Sequence, residues 1–182
     1  MIYIMKKSIN TKDMVITALM IAFGIIIPTL FKPLQVTLPP AFTATITAHV
    51  PIFIAMCISP ASAIFTSIGT TLGFLLSGIP LVVVARAASH IVFAIVGAYM
   101  VLKKRNLVLV GVVTAVLHAA FEAVMVYVFF AMGWTPSDSG LLLAYTTGVG
   151  TLIHHLIDYA IAVVLLKALS KTKAIKDLPK LF

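Results

Sequence analysis

Seven ionisable side chains stand inside otherwise apolar stretches: Arg86 and His90, His118 and Glu122, and His154, His155 and Asp158. The pairs 86/90, 118/122 and 154/158 are four residues apart, a spacing that puts both members on one face of a helix. His49 adds a further imidazole in another apolar run. A charge near the centre of a bilayer costs about 3 kcal/mol or more, so such groups face a bundle interior or a water-filled cavity. The planar guanidinium of Arg86 suits either an anionic ligand or an ion pair with Glu122, and the two roles can coexist. His90 and His49 are read as ligand contacts or as interhelical hydrogen-bonding groups. His118, His154 and His155 are read first as structural, with Asp158 orienting one of them. The set His118, Glu122, His154, His155 and Asp158 could alternatively hold a divalent metal, for ion transport or metal-assisted hydrolysis. No HExxH motif supports that alternative, and no serine, nor Cys57, sits in an activated nucleophile setting.

The elements that carry these groups are read from composition. The 182 residues are 62% hydrophobic and 10% charged, with a mean hydropathy of +1.16, outside the range of an ordinary soluble domain. A spanning helix needs about 20 mainly apolar residues, because its backbone groups must pair within the segment. The chain is therefore expected to be an all-α integral membrane protein, a single domain over residues 1–182 with six transmembrane helices. The net charge of +8 lies in loops and termini without a basic, aromatic-interleaved stripe, so no nucleic-acid partner is expected. Lys6 and Lys7 ahead of an apolar run look superficially like a signal peptide, but the run is long and further crossings follow, which marks a retained first helix. Cys57 has no second cysteine to pair with.

The expected helices are residues 14–31, with Thr11 or Asp13 as N-cap, 43–58, 61–76, 80–102, 107–132 and 141–169. The stretch "KPLQVTLPPAF" resists helix and is expected to be an extended loop. Pro51 is expected to break a helical hydrogen bond and free the Thr47 carbonyl. Six crossings put Lys6, Lys7, Lys12, Lys103, Lys104, Arg105, Lys167, Lys171, Lys173, Lys176 and Lys180 on one side and Lys32 on the other. The positive-inside rule then places both termini in the cytoplasm and the chain in the cell membrane. At 1.5 Å per residue, Arg86 and Glu122 both lie roughly 8 Å below the outer boundary. The polar groups thus collect in the outer half, beneath two loops. Phe42, Phe74, Tyr127, Trp134 and Tyr145 are expected near that side, where interfacial anchoring is the default role and stacking on a flat ligand the alternative.

Small residues recur one turn apart at Ala18/Ala22, Gly69/Gly73 and Ala94/Ala98, a spacing that lets helices approach closely. With these pairs, the phrases "PAFTATITAHVPIFIAMCISP", "GTTLGF" and "ARAASHIVFAIVGAY" carry a family resemblance. The chain resembles the substrate-binding S components of energy-coupling factor (ECF) vitamin transporters, and over residues 14–99 the niacin-specific NiaX group among them. The resemblance implies a transport subunit rather than an enzyme. It would capture a vitamin from outside and release it inward while docked, through Ala18 and Ala22, on a transmembrane coupling subunit with two ATPase subunits. The absence of a GxxxxGK[ST] loop agrees with ATP hydrolysis by partners. The residues expected to bind the vitamin are Arg86, His90, His49, Glu122, Phe42 and Tyr145, with no cofactor or resident metal. Two carboxylates beside one arginine leave such a pocket with surplus negative charge, an obstacle to an anionic vitamin.

Overall fold

The computed structural model describes residues 10–38, 42–135 and 137–172. Lys6, Lys7, Lys173, Lys176 and Lys180, used above for orientation, lie outside them. The expected helices are found in order, with several boundaries corrected. Helix α1 spans Thr11–Leu30 and is capped by neither Thr11 nor Asp13 but by Asn10, whose side chain accepts from the Asp13 N–H at 2.8 Å. Helix α3 (Pro60–Leu76) starts at Ser59, which accepts from the Ser62 N–H, with proline in the first helical position where no donor is missed. Helices α6 (Leu107–Ala131) and α7 (Gly140–Leu169) are capped in the same way by Asn106 and Ser139.

The architecture is helical as expected, and two local expectations are overturned. The expected extended loop and the start of the second helix form instead an antiparallel hairpin, β1 (Gln35–Leu38) and β2 (Phe42–Thr45), in the register Gln35↔Thr45 and Leu38↔Phe42. Val36, Thr37, Thr43 and Thr45 are β-branched, and Pro33, Pro39 and Pro40 deny the segment to a helix. The second expected helix therefore does not begin at residue 43. What remains of it is α2, the seven residues Val50–Met56, every one of them buried. Pro51 lies in the first turn of α2, so it opens the helix instead of kinking it, and the Thr47 carbonyl accepts from the Val50 N–H at 3.1 Å.

The expected helix 80–102 is one span divided at Ser89 into α4 (Leu81–Ala88) and α5 (His90–Leu102). The Ser89 hydroxyl donates to the Arg86 carbonyl at 2.7 Å, a side-chain bond that competes with the helical ladder. This break lies between Arg86 and His90. Four segments are long and apolar enough to cross a membrane: α1, Leu81–Leu102, α6 and α7. Helix α3 has 17 residues, and α2 is too short to cross alone.

Helix α2 forms the centre, touching α1, α3, α5 and α7, while α6 packs along α7 and α1 along α3. The last contact depends on glycine. A Cβ at Gly73 would lie 2.6 Å from the Ile25 carbonyl oxygen and 2.7 Å from that of Gly24, so the helix backbones meet directly. Ala94 and Ala98 are fully buried, whereas Ala18 and Ala22 are exposed on α1 beside Val15, Leu19 and Phe23. Of the small-residue pairs, then, two serve packing within the chain and one does not.

Candidate functional site

Strand β2, the turn into α2, and helices α4 to α7 bring every intramembrane ionisable group named above into one buried cluster. Arg86 is 3% exposed, His49 and Glu122 4%, His90 2%, His118 1%, and His155 and Asp158 0%. Burial this deep demands partners, and among the described residues they are present for these groups except at His90 Nδ1 and His118 Nε2.

Arg86 and Glu122 meet as the depth argument expects. Arg86 donates from Nε at 3.1 Å and Nη2 at 2.8 Å to Glu122 Oε2. It also donates from Nη1 to Thr43 Oγ1 at 3.3 Å and from Nη2 to the Thr43 carbonyl at 3.1 Å. Four of the five guanidinium hydrogens are thereby engaged, and one on Nη1 is left over. The cation also lies 5.7 Å from the centre of the Phe42 ring. That ring occupies space opened by Gly150 on α7, where a Cβ would come within 2.6 Å of it.

Glu122 is shared asymmetrically. Its Oε2 takes Arg86 and the hydroxyl of Thr151, while Oε1 stands 3.3 Å from His90 Nε2 and 3.2 Å from His118 Nε2. The contact to His118 has the distance of a hydrogen bond without its direction, and His118 Nε2 has no hydrogen-bond partner among the described residues. His49 lies in the middle of the imidazoles, with ring centres 4.6 Å from His90, 4.6 Å from His118 and 4.8 Å from His154. Its Nε2 is 3.4 Å from His90 Nε2.

Asp158 fixes the approach to α2. One carboxylate oxygen accepts from the Thr47 N–H at 2.9 Å, and the other from the His49 N–H at 3.1 Å, with His49 Nδ1 at 3.0 Å. Thr47 has φ of 70°, a left-handed conformation that a β-branched residue rarely adopts. Asp158 holds it there by taking the hydrogen bond that the strained turn exposes. His154 Nε2 is 3.5 Å from the same carboxylate. On the far side, His118 Nδ1 is 2.9 Å from His155 Nδ1, and His155 Nε2 is 3.0 Å from Thr114 Oγ1.

The five-residue metal set considered from sequence does not converge on one point. His118 groups with His49 and His90, His154 and Asp158 group with His49, Glu122 Oε1 stands against His90 and His118, and His155 turns towards Thr114. Tyr145, expected in the pocket, is instead 69% exposed on α7, and Trp134 is 61% exposed in the loop before it. Thr43, Thr114 and Thr151 escaped sequence reasoning, and Thr47, singled out for its carbonyl, meets Asp158 through its N–H instead. One signal was available for α7: Thr147, Thr151, His155 and Asp158 form a polar stripe at spacings of three and four, and all are buried.

A pocket lies against this cluster, lined by Thr43, Ala48, His49, Phe74, Arg86, His90, Glu122 and His154. The space in it open to water-sized spheres is ≈ 20 Å³, room for about one water. Beside it, and sharing Ala44 and His154, runs an apolar groove of ≈ 220 Å³ between the hairpin and α7. The conformation is closed: an aromatic ligand enters the polar pocket only when side chains or the hairpin give way.

No family model and no solved structure matches the chain. Among curated proteins, the niacin transporter NiaX of Lactococcus lactis subsp. cremoris (strain MG1363) is 34% identical over 175 residues, covering 91% of this chain and 78% of that protein.

Proposed function

The chain belongs to the NiaX family of niacin transporters, S components of the ECF type, and on that premise we propose that it captures niacin in the buried pocket beneath the β1–β2 hairpin. The observation that carries this reading is the convergence of Arg86, Glu122, His49 and His90 on one cavity inside an apolar protein. Niacin is a flat pyridine with a carboxyl group. The remaining Nη1 hydrogen of Arg86 is available to that carboxylate, and the Thr43 hydroxyl can be displaced from the guanidinium to free a second. His90 keeps its Nδ1 without a partner among the described residues and available to the pyridine nitrogen, His49 lines the pocket beside it, and Phe42 and Phe74 offer aromatic surface. The hairpin is the element that opens and closes over the ligand.

Orientation and partners complete the proposal. The basic residues Lys12, Lys103, Lys104, Arg105, Lys167 and Lys171 favour both termini in the cytoplasm, which puts the hairpin and pocket on the outer side. The exposed α1 face with Ala18 and Ala22 then meets a coupling subunit, and two ATPase subunits drive release. An exposed pair of small residues on an otherwise bulky apolar face allows a partner helix to approach closely.

Titrating purified protein with nicotinate and, separately, nicotinamide tests the first part. Saturable binding of at least one at about micromolar concentration or tighter is expected, and no binding of either overturns the reading. Tryptophan at Ala18 or Ala22 tests the second part. It should leave binding unchanged while stopping uptake into cells, and uptake at the unmodified rate would reject the docking face.

A further inference from the structure

We propose that His49 Nε2, His90 Nε2, His118 Nε2 and Glu122 Oε1 form a tetrahedral site for a divalent transition-metal ion of the zinc class. Each of the three imidazoles offers a ring nitrogen within 4.8 Å of one from each of the other two. The closest distances within the set are 3.4 Å from His49 to His90, 3.3 Å from His90 to Glu122 and 3.2 Å from His118 to Glu122. Zinc held at 2.0 to 2.1 Å by four ligands separates neighbouring ligand atoms by about 3.3 Å. The His118–Glu122 contact has that distance without hydrogen-bond direction. A coordination edge has this property, because two ligands of one ion touch while their lone pairs aim at the ion.

The proton positions lead to the same centre. Thr114 Oγ1 donates to the Val110 carbonyl at 2.7 Å, so it accepts from His155 Nε2–H. A neutral His155 then presents a bare Nδ1, and His118 must donate its Nδ1–H to it. His118 Nε2 is consequently a lone pair, buried, facing a carboxylate oxygen. His49 is fixed in the same sense, since its Nδ1–H donates to Asp158 and leaves Nε2 bare. Carboxylate-oriented imidazole is the usual outer support of a zinc ligand. Without an ion, only the Nε2–H of His90 can serve these acceptors, at 3.3 Å from Glu122 Oε1 and 3.4 Å from His49 Nε2, and it leaves His118 Nε2 unsatisfied; a cation among them satisfies all three.

The ion has a consequence for the ligand, which rests on the niacin reading above. Counting the imidazoles as neutral, Arg86, Glu122 and Asp158 leave the centre net negative, which opposes an anion. A divalent ion makes it net positive, and nicotinate becomes the favoured form.

The test uses full-length protein purified through a tag without histidine and equilibrated with zinc alone. About one zinc per chain should survive desalting, and His118→Gln should lower zinc affinity at least about 10-fold. Should His118→Gln fail to fold, cobalt(II) added to unmodified protein provides the second measurement, with the intense visible bands of a tetrahedral nitrogen and oxygen site expected. Substoichiometric zinc, equal zinc retention by folded His118→Gln, or an octahedral cobalt spectrum overturns the metal site. Chelator-stripped protein should bind nicotinate at least about 10-fold more weakly and recover with zinc. Undiminished binding after stripping overturns the link to the ligand. Zinc bound with no response to nicotinate or nicotinamide leaves the metal site standing and overturns the niacin reading.

Discussion

Arg86→Ala is expected to reduce niacin affinity by about 100-fold or more, corresponding to about 3 kcal/mol for a lost buried charge-assisted contact. The same change also acts on the fold. Arg86 supplies two hydrogen bonds to Glu122 Oε2 and two to Thr43. Its removal leaves Glu122 with only the Thr151 hydroxyl and two imidazoles, and stranding one member of a buried pair costs about 3 to 5 kcal/mol. A loss of binding in Arg86→Ala therefore mixes a ligand effect with a stability effect. The double variant Arg86→Gln with Glu122→Gln separates them, because it removes both charges and retains hydrogen-bonding groups at both sites. Its thermal unfolding midpoint in detergent should recover towards that of unmodified protein while niacin binding stays lost. Recovery of binding together with stability would mean that Arg86 serves only to pair with Glu122. Full affinity in folded Arg86→Ala would remove the guanidinium from ligand recognition altogether.

The second large effect is expected at Asp158 on α7. Asp158→Asn keeps the volume but exchanges one acceptor oxygen for an NH₂ group. Three donors, the N–H groups of Thr47 and His49 and the His49 ring, converge on this carboxylate, and an amide places a fourth donor among them. A buried donor without an acceptor costs about 1 to 3 kcal/mol, and Thr47 loses the bond that holds it at φ of 70°. The turn relaxes, His49 leaves its position between His90 and His154, and niacin affinity falls by about 10-fold or more. Calorimetric titration alongside thermal unfolding checks both effects. A variant with unmodified affinity and midpoint would show that the turn holds its shape without the carboxylate.

Much of the site was legible because it is written in local spacing. Arg86/His90, His118/Glu122 and His154/Asp158 recur at four residues, and a helix turns that spacing into a shared face whatever else the chain does. Apolar surroundings then force those faces inward, since no other location tolerates the charge. The depth estimate that brought Arg86 to Glu122 needed only the rise of a helix and the loop positions. Where sequence reasoning failed, a non-local contact prevailed. "FTATITAHVP" is apolar enough to pass for the start of a helix. It forms a strand and a strained turn because β1 pairs with Phe42–Thr45 and because Asp158, more than a hundred residues away, takes the turn's amide hydrogens.

The sequence by itself determined the membrane-type composition, the order of the helices, the polar faces and Arg86 as a cation of the buried polar cluster. Each follows from the cost of exposing apolar residues to water or charges to hydrocarbon, a cost set residue by residue. Only the tertiary structure decided that Pro51 starts a short buried helix, that Tyr145 lies outside the pocket, and that Glu122 divides its two oxygens between Arg86 and the histidines. It also decided which imidazole nitrogens carry lone pairs, because a proton's position on His118 follows from Thr114 and His155 on two different helices. Hydrogen-bond direction is a property of assembled neighbours, and no spacing along one strand of sequence encodes it.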